Sequence, residues 1–252
     1  MPLARTRSRT LLAALTLLLL YAACRTTGNR PQSRRAPSEV ATFGSGETTL
    51  RYLILGDSTV VSEGGTYDQG IALQTARALA RNRRVELLNL AVSGARVRDV
   101  LHEQLPRIGT FRPDVILLDA GANDVTHLTS AASVEKDLQQ ILDRLLTLNC
   151  DVRIVVTGSP DMSTPPRIPR LLRGLAGRRT TALNRVFRRQ VERYHLTFAP
   201  IADETGPLFA QDKTLFSDDA FHPNDRGYAT WTAVITPALD RAMTSQPSHC
   251  QL

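Results

Sequence analysis

The sequence predicts a doubly wound α/β domain built on a parallel sheet. Three observations carry that prediction. Short apolar runs of strand length alternate with longer segments of helical periodicity, the pattern of successive right-handed β-α-β units. The third run, Val115-Ile-Leu-Leu-Asp119, is nearly all apolar, as expected for a strand covered on both faces. Finally, Ser58, Gly94 and Asn123 each fall a few residues past one of the first three runs, so one edge of one sheet would gather all three.

In chain order, Leu50–Leu55 is the first strand, closed by Gly56. Tyr67 to Ala80 carries Ile71, Leu73, Ala76 and Leu79 at helical spacing and is stopped by Arg81-Asn82-Arg83-Arg84. Val85 to Leu90 is the second strand, and Val97 to Leu105 a short helix ending before Pro106. After the third strand, Ser133 to Leu148 is amphipathic, with Leu138, Ile141, Leu142, Leu145 and Leu146 on its apolar side. Val152 to Thr157, a helix over Thr180 to Tyr194, a fifth strand over Leu196 to Ala199 and a closing helix over Asp225 to Met243 complete a five-stranded sheet.

At 252 residues, 42% hydrophobic and 22% charged, the chain has room for one substantial core and little more. Arg5, Arg7 and Arg9 followed by the apolar Leu11 to Leu20 read as a signal peptide, too short for a membrane span. Ala22-Ala23-Cys24 resembles a bacterial lipobox, with lipid attachment on Cys24 as the expectation and simple cleavage as the alternative; Tyr21 departs from that pattern. The expected organisation is a leader over 1–24, a tether over 25–48, one domain over 49–244 and a tail over 245–252. Export to the periplasm or cell surface follows, with membrane attachment only through the N-terminus.

The net charge of +7 says little about partners. From Leu50 onward 24 basic side chains face 22 acidic ones, so the folded part gives little support for nucleic-acid binding. Arginines outnumber lysines 29 to 2. If Cys24 is lipidated, Cys150 and Cys250 remain, and a disulfide or two free thiols both stand as readings.

Four short signatures carry chemistry. Gly56-Asp57-Ser58 places a serine in a tight turn after a strand, where its hydroxyl and its own N–H face one space; alone, it reads equally as a cap. In Asp219-x-x-His222 the carboxylate can hold one imidazole nitrogen and leave the other for Ser58, with Pro223 restraining the backbone. A solvated acidic loop is the plainer reading. A metal site fits poorly, with one histidine and no familiar ligand spacing. Gly94 lets backbone approach a bound oxygen closely, and the Asn123 amide donates without adding charge. Together with the Ser58 N–H they form a candidate oxyanion hole.

These blocks, with Asn89 through Gly94 and Gly121-x-Asn123-Asp124, resemble the SGNH (GDSL) hydrolases from about Leu50 to Met243. The resemblance implies a flavodoxin-like three-layer α/β/α fold, ester hydrolysis through an acyl-serine intermediate, and no metal or organic cofactor. It casts Ser58, Asp219 and His222 as catalytic and Ser58, Gly94 and Asn123 as oxyanion donors. Thr59 stands where the family commonly has leucine. The expected substrates are short acyl esters of carbohydrates or lipids. An O-acetyltransferase acting on envelope glycans and a non-catalytic binding lipoprotein are the alternatives. Arg167 to Arg193, with nine arginines against Glu192, reads either as a lid favouring anionic substrates or as a solvated helix face. His127 either lines the pocket or makes a structural hydrogen bond.

Overall fold

The computed structural model describes residues 34–244. The strands are β1 (Ala41–Phe43), β2 (Thr49–Gly56), β3 (Arg84–Asn89), β4 (Val115–Asp119), β5 (Arg153–Val156) and β6 (Thr197–Phe198). They form one sheet in the order β1-β3-β2-β4-β5-β6, with β2 to β6 parallel and β1 antiparallel to β3. The chain runs outward from β2 to β3, then crosses back to β4 on the other side, so the winding reverses beside β2. That switch point is where open α/β sheets bind ligands.

Helices cover both faces: α1 (Ser58–Val61), α2 (Ile71–Leu79), α3 (Val97–Asp99), α4 (Ala122–Thr126), α5 (Ala131–Leu148), α6 (Arg170–Arg193), α7 (Ile201–Gln211) and α8 (Asp225–Thr244). The core divides by strand parity. Ile116 and Leu118 of β4 join Leu53 and Leu55 under α5 and α6, whereas Val115 and Leu117 join Tyr52 and Ile54 under α2, α7 and α8. Helix α5 buries Val134, Leu138, Ile141, Leu142 and Leu145, and Ser130 caps it by accepting from the Ser133 N–H at 3.1 Å.

The five expected strands are present, and a sixth, β1, corrects the expected strand count and tether. It lies in the stretch read as tether, too short and too polar to show a periodicity. Its residues pair Ala41 with Leu87 and Phe43 with Val85, closing the edge that β3 would otherwise expose. The fold reaches back further still: Ala36 is buried, its N–H donates to the Ala91 carbonyl, and the Ser93 N–H donates to Arg34. The folded domain therefore includes residues before 49, and this N-terminal stretch braces the loop that carries Gly94. The leader, residues 25–33 of the tether and the tail lie outside the described residues.

Of the two readings of the arginine-rich stretch, the structure gives the helix, with an earlier start than expected. It contains no lid loop over Arg170–Arg179, because α6 begins ten residues earlier than periodicity suggested. Gly174 and Gly177 obscure the helix in the sequence, yet Leu172 and Ala176 are buried on its inner side. Two of its guanidinium groups serve the fold: Arg173 donates to the Pro166 and Ile168 carbonyls, and Arg179 to those of Val125 and Thr129. Cys150, just after α5, is disulfide-bonded; Cys24 and Cys250, the other two cysteines, lie outside the described residues.

Candidate active site

The nucleophile candidate sits where β2 turns into α1. Gly56 is required there, since a Cβ would stand 2.2 Å from the Asp119 carbonyl of β4. The Gln104 side chain clamps the same residue, accepting its N–H at 2.9 Å and donating to its carbonyl at 2.7 Å. Gln104 ends a widened π turn over Val100–Gln104, which the sequence reading placed within an ordinary helix. Asp57 caps α1 by accepting from the Thr59 N–H at 3.0 Å. Asp57 is thus a cap, and the residue it places at the start of α1 is Ser58.

The other end of the site is a tight turn. A bridge between Phe216 and Pro223 and a 2.8 Å bond from the Ser217 N–H to the His222 carbonyl close it. Within it, Asp219 Oδ1 accepts from the Ser217 hydroxyl and from the N–H groups of Phe221 and His222, each at 2.8 Å. Its Oδ2 lies 2.6 Å from His222 Nδ1. Partial burial alone would raise the Asp219 pKa, but the His222 ring and these backbone donors hold it well below the usual carboxylate range. Ala220 takes a left-handed conformation, φ 57°, to fit the turn.

The two ends meet across 164 residues of chain. His222 Nε2 stands 3.0 Å from Ser58 Oγ. With Nδ1–H donating to the Asp219 carboxylate, Nε2 is left as the acceptor facing the serine hydroxyl. This arrangement can move a proton from Oγ to the ring while Asp219 stabilises the resulting cation.

Asn123, at the start of α4, donates from Nδ2 to Asp57 Oδ2 at 3.2 Å and to the Ala95 carbonyl at 3.1 Å. The second bond ties the Gly94–Ala95 turn to Asn123. Gly94 has φ +82°, and a Cβ there would meet nothing within 4 Å, so it borders open space. The N–H groups of Ser58 and Gly94 donate to no acceptor among the described residues. Buried Asn89 fixes the approach to Gly94: its Nδ2 donates to the Val60 carbonyl at 2.8 Å and its Oδ1 accepts from Ala91.

A model of the GDSL-like lipase/acylhydrolase family matches residues 54–230, which runs from β2 through the Asp219–His222 turn into α8. The chain belongs to this family. No curated protein matches the GDSL-like chain. Among solved structures it is similar to TesA (17% identity, TM-score 0.63, 76% of this chain and 99% of that one). It also resembles an extracellular lipase from Streptomyces rimosus (18%, 0.60, 77% and 99%). A catalytic mutant of the acetylxylan esterase Axe2 from Geobacillus stearothermophilus is likewise similar (16%, 0.61, 81% and 97%). At these identities the likeness establishes the fold, and the family establishes an ester hydrolase.

Two features of this GDSL-like site were not read from the sequence. Glu63 Oε2 lies 3.5 Å from His222 Nε2. The residue is anchored by its backbone, since its N–H donates to the Ser58 carbonyl and its own carbonyl accepts from the Tyr228 hydroxyl at 2.6 Å. Nothing in the local sequence of the 60–68 loop marks it. The other is Thr59, whose hydroxyl bridges Asp57 and Asp119. His127 stays out of the site: its Nδ1 bonds the Asn123 carbonyl at 2.8 Å, ending α4.

Proposed function

We propose that the chain is a serine esterase that hydrolyses short-acyl carboxylic esters through an acyl-serine intermediate, with Ser58, His222 and Asp219 as its catalytic residues. The observation that carries this is the continuous line Ser58 Oγ–His222 Nε2, His222 Nδ1–Asp219 Oδ2 at 3.0 and 2.6 Å. His222 takes the Oγ proton as Oγ attacks the ester carbonyl. The oxyanion receives the N–H groups of Ser58 and Gly94 and the Asn123 amide, which exchanges its Ala95 contact for the substrate oxygen. His222 then protonates the departing alkoxide. Water, activated by the same ring, attacks the acyl carbon, releasing the acid and restoring Oγ–H.

Size argues for a short acyl group. The cavity beside Ser58 and His222, walled by Met162, Thr164, Phe216, Phe221 and Trp231 among others, is about 30 Å³. A water-sized group needs at least roughly 10–15 Å³ of such space. A cavity of this size favours an acetyl-sized group, and a long acyl chain would extend beyond it. p-Nitrophenyl esters of increasing chain length test this: kcat/KM should be highest for acetate or propionate and fall at least tenfold by octanoate. A maximum at octanoate or longer would overturn the short-acyl assignment. Export, with Cys24 as lipid attachment point, belongs to the same proposal and rests on the sequence of the leader. The disulfide at Cys150 suits an oxidising compartment.

A further inference from the structure

The Thr59 hydroxyl sits between two buried carboxyls, 3.0 Å from Asp57 Oδ1 and 2.9 Å from Asp119 Oδ1. A hydroxyl has one hydrogen, so it can donate to only one of them. Were both ionised, the second oxygen would face a lone pair, and two negative charges would be buried side by side without a cation between them. One carboxyl must therefore be protonated and donate to Thr59. Both oxygens of Asp57 already accept from nitrogen: Oδ1 receives the Thr59 N–H at 3.0 Å and Oδ2 the Asn123 amide at 3.2 Å. Asp119 bonds Thr59 and has the Thr157 hydroxyl beside it; that hydroxyl's bond runs to the Gly158 carbonyl at 3.0 Å, and Asp119 Oδ2 has no hydrogen-bond partner among the described residues.

We propose that Asp119 is held as a neutral carboxylic acid and acts, through Thr59 and Asp57, as a positioning residue for the Asn123 amide. The chain runs Asp119 O–H to Thr59 Oγ, Thr59 O–H to Asp57 Oδ1, and Asn123 N–H to Asp57 Oδ2. It fixes Asp57 as the charged member, and charge on Asp57 keeps the nitrogen of Asn123, rather than its oxygen, turned toward this side of the oxyanion site. Leucine at position 59 could not make this link, so Thr59 and Asp119 form one unit. Burial pushes both carboxyls up; the charge of Asp57 raises Asp119 further against the Thr59 and Thr157 hydroxyls, while the two Thr59 donors and His222 restrain Asp57. The other titratable groups facing the pair are Asp124 from α4, Tyr52 from β2, Tyr228 from α8 and His222.

The test compares Asp119→Asn and Thr59→Val with the unmodified chain. An asparagine can donate to Thr59 as the neutral acid does, so kcat on p-nitrophenyl acetate at pH 7 should stay within about twofold. Thr59→Val should lower kcat about tenfold or more with KM nearly unchanged, part of what losing an oxyanion donor costs. Thermal midpoints between pH 5 and pH 9 supply a readout independent of turnover. A carboxyl raised in the folded state contributes stability that is complete below its unfolded pKa of about 4 and is lost as pH rises through its folded value. The midpoint of Asp119→Asn should thus gain on the unmodified chain steadily as pH rises. A constant gap between the two curves, or a kcat loss in Asp119→Asn equal to that in Thr59→Val, would overturn the proposal. The kinetic arm rests on the esterase reading. Absence of ester turnover in the unmodified chain would sink that reading while the stability curves still decide where the proton lies.

Discussion

The two halves of the site are built in opposite ways. Ser58 lies at the carboxyl end of a central strand, 7% exposed, on a cap whose acceptors and donors are all buried. His222 and Asp219 lie on a surface turn, where the Asp219 side chain is 37% exposed and the backbone holding it is a single bridge and a few hydrogen bonds. A sheet edge can deliver a nucleophile and its oxyanion donors rigidly, because neighbouring strands fix their mutual distances. A turn cannot, and here it compensates by saturating Asp219 Oδ1 with three donors, so that the carboxylate and its turn are one object.

The largest effect expected from breaking this division is at the turn. Asp219→Asn removes the charge that fixes the His222 tautomer and should lower kcat by about 10⁴-fold, measured on p-nitrophenyl acetate. The same variant carries a pH signature. Asp219 is held below its unfolded pKa of about 4, so its stabilising contribution is complete above that value and lost as pH falls through its folded pKa. The destabilisation of Asp219→Asn, followed by thermal midpoints, should therefore be present at pH 7 and shrink below pH 4. On the sheet edge, Asn123→Ala should cost about 10²–10³ in kcat, the usual loss for one oxyanion donor, with little change in KM. A KM rise at constant kcat would instead make Asn123 a ground-state contact.

Ala220→Gly gives the smallest effect. Glycine relieves the left-handed backbone at φ 57° but adds unfolded-state entropy, two effects of about 1 kcal/mol each that oppose one another. The midpoint should shift by no more than a few degrees and kcat should hold. A tenfold loss of kcat would show that the turn must be stiff, not merely correctly shaped.

The same division governs what the sequence reveals. Strands β2 to β5 announce themselves because burial on both faces imposes apolar runs, and α5 because burial of one face imposes helical periodicity. The pairing of Ser58 with His222 follows from motif order, since the turn chemistry of Asp219-x-x-His222 is local. Three things were not legible, each because it depends on distant chain. Strand β1 exists only because β3 presents an edge to it. The start of α6 is hidden by Gly174 and Gly177, whose cost is offset by burial of Leu172 and Ala176. Glu63 and the Asp57–Thr59–Asp119 bridge are made by contacts between loops and strands that no spacing in the sequence encodes.

One measurement tests the central claim most directly: reaction with a serine-directed fluorophosphonate, followed by mass spectrometry of the digested protein. Stoichiometric loss of ester turnover with a single adduct on the peptide bearing Ser58, absent from Ser58→Ala, is the expected result. Retained turnover in Ser58→Ala, or an inactivating adduct on another residue, would contradict it.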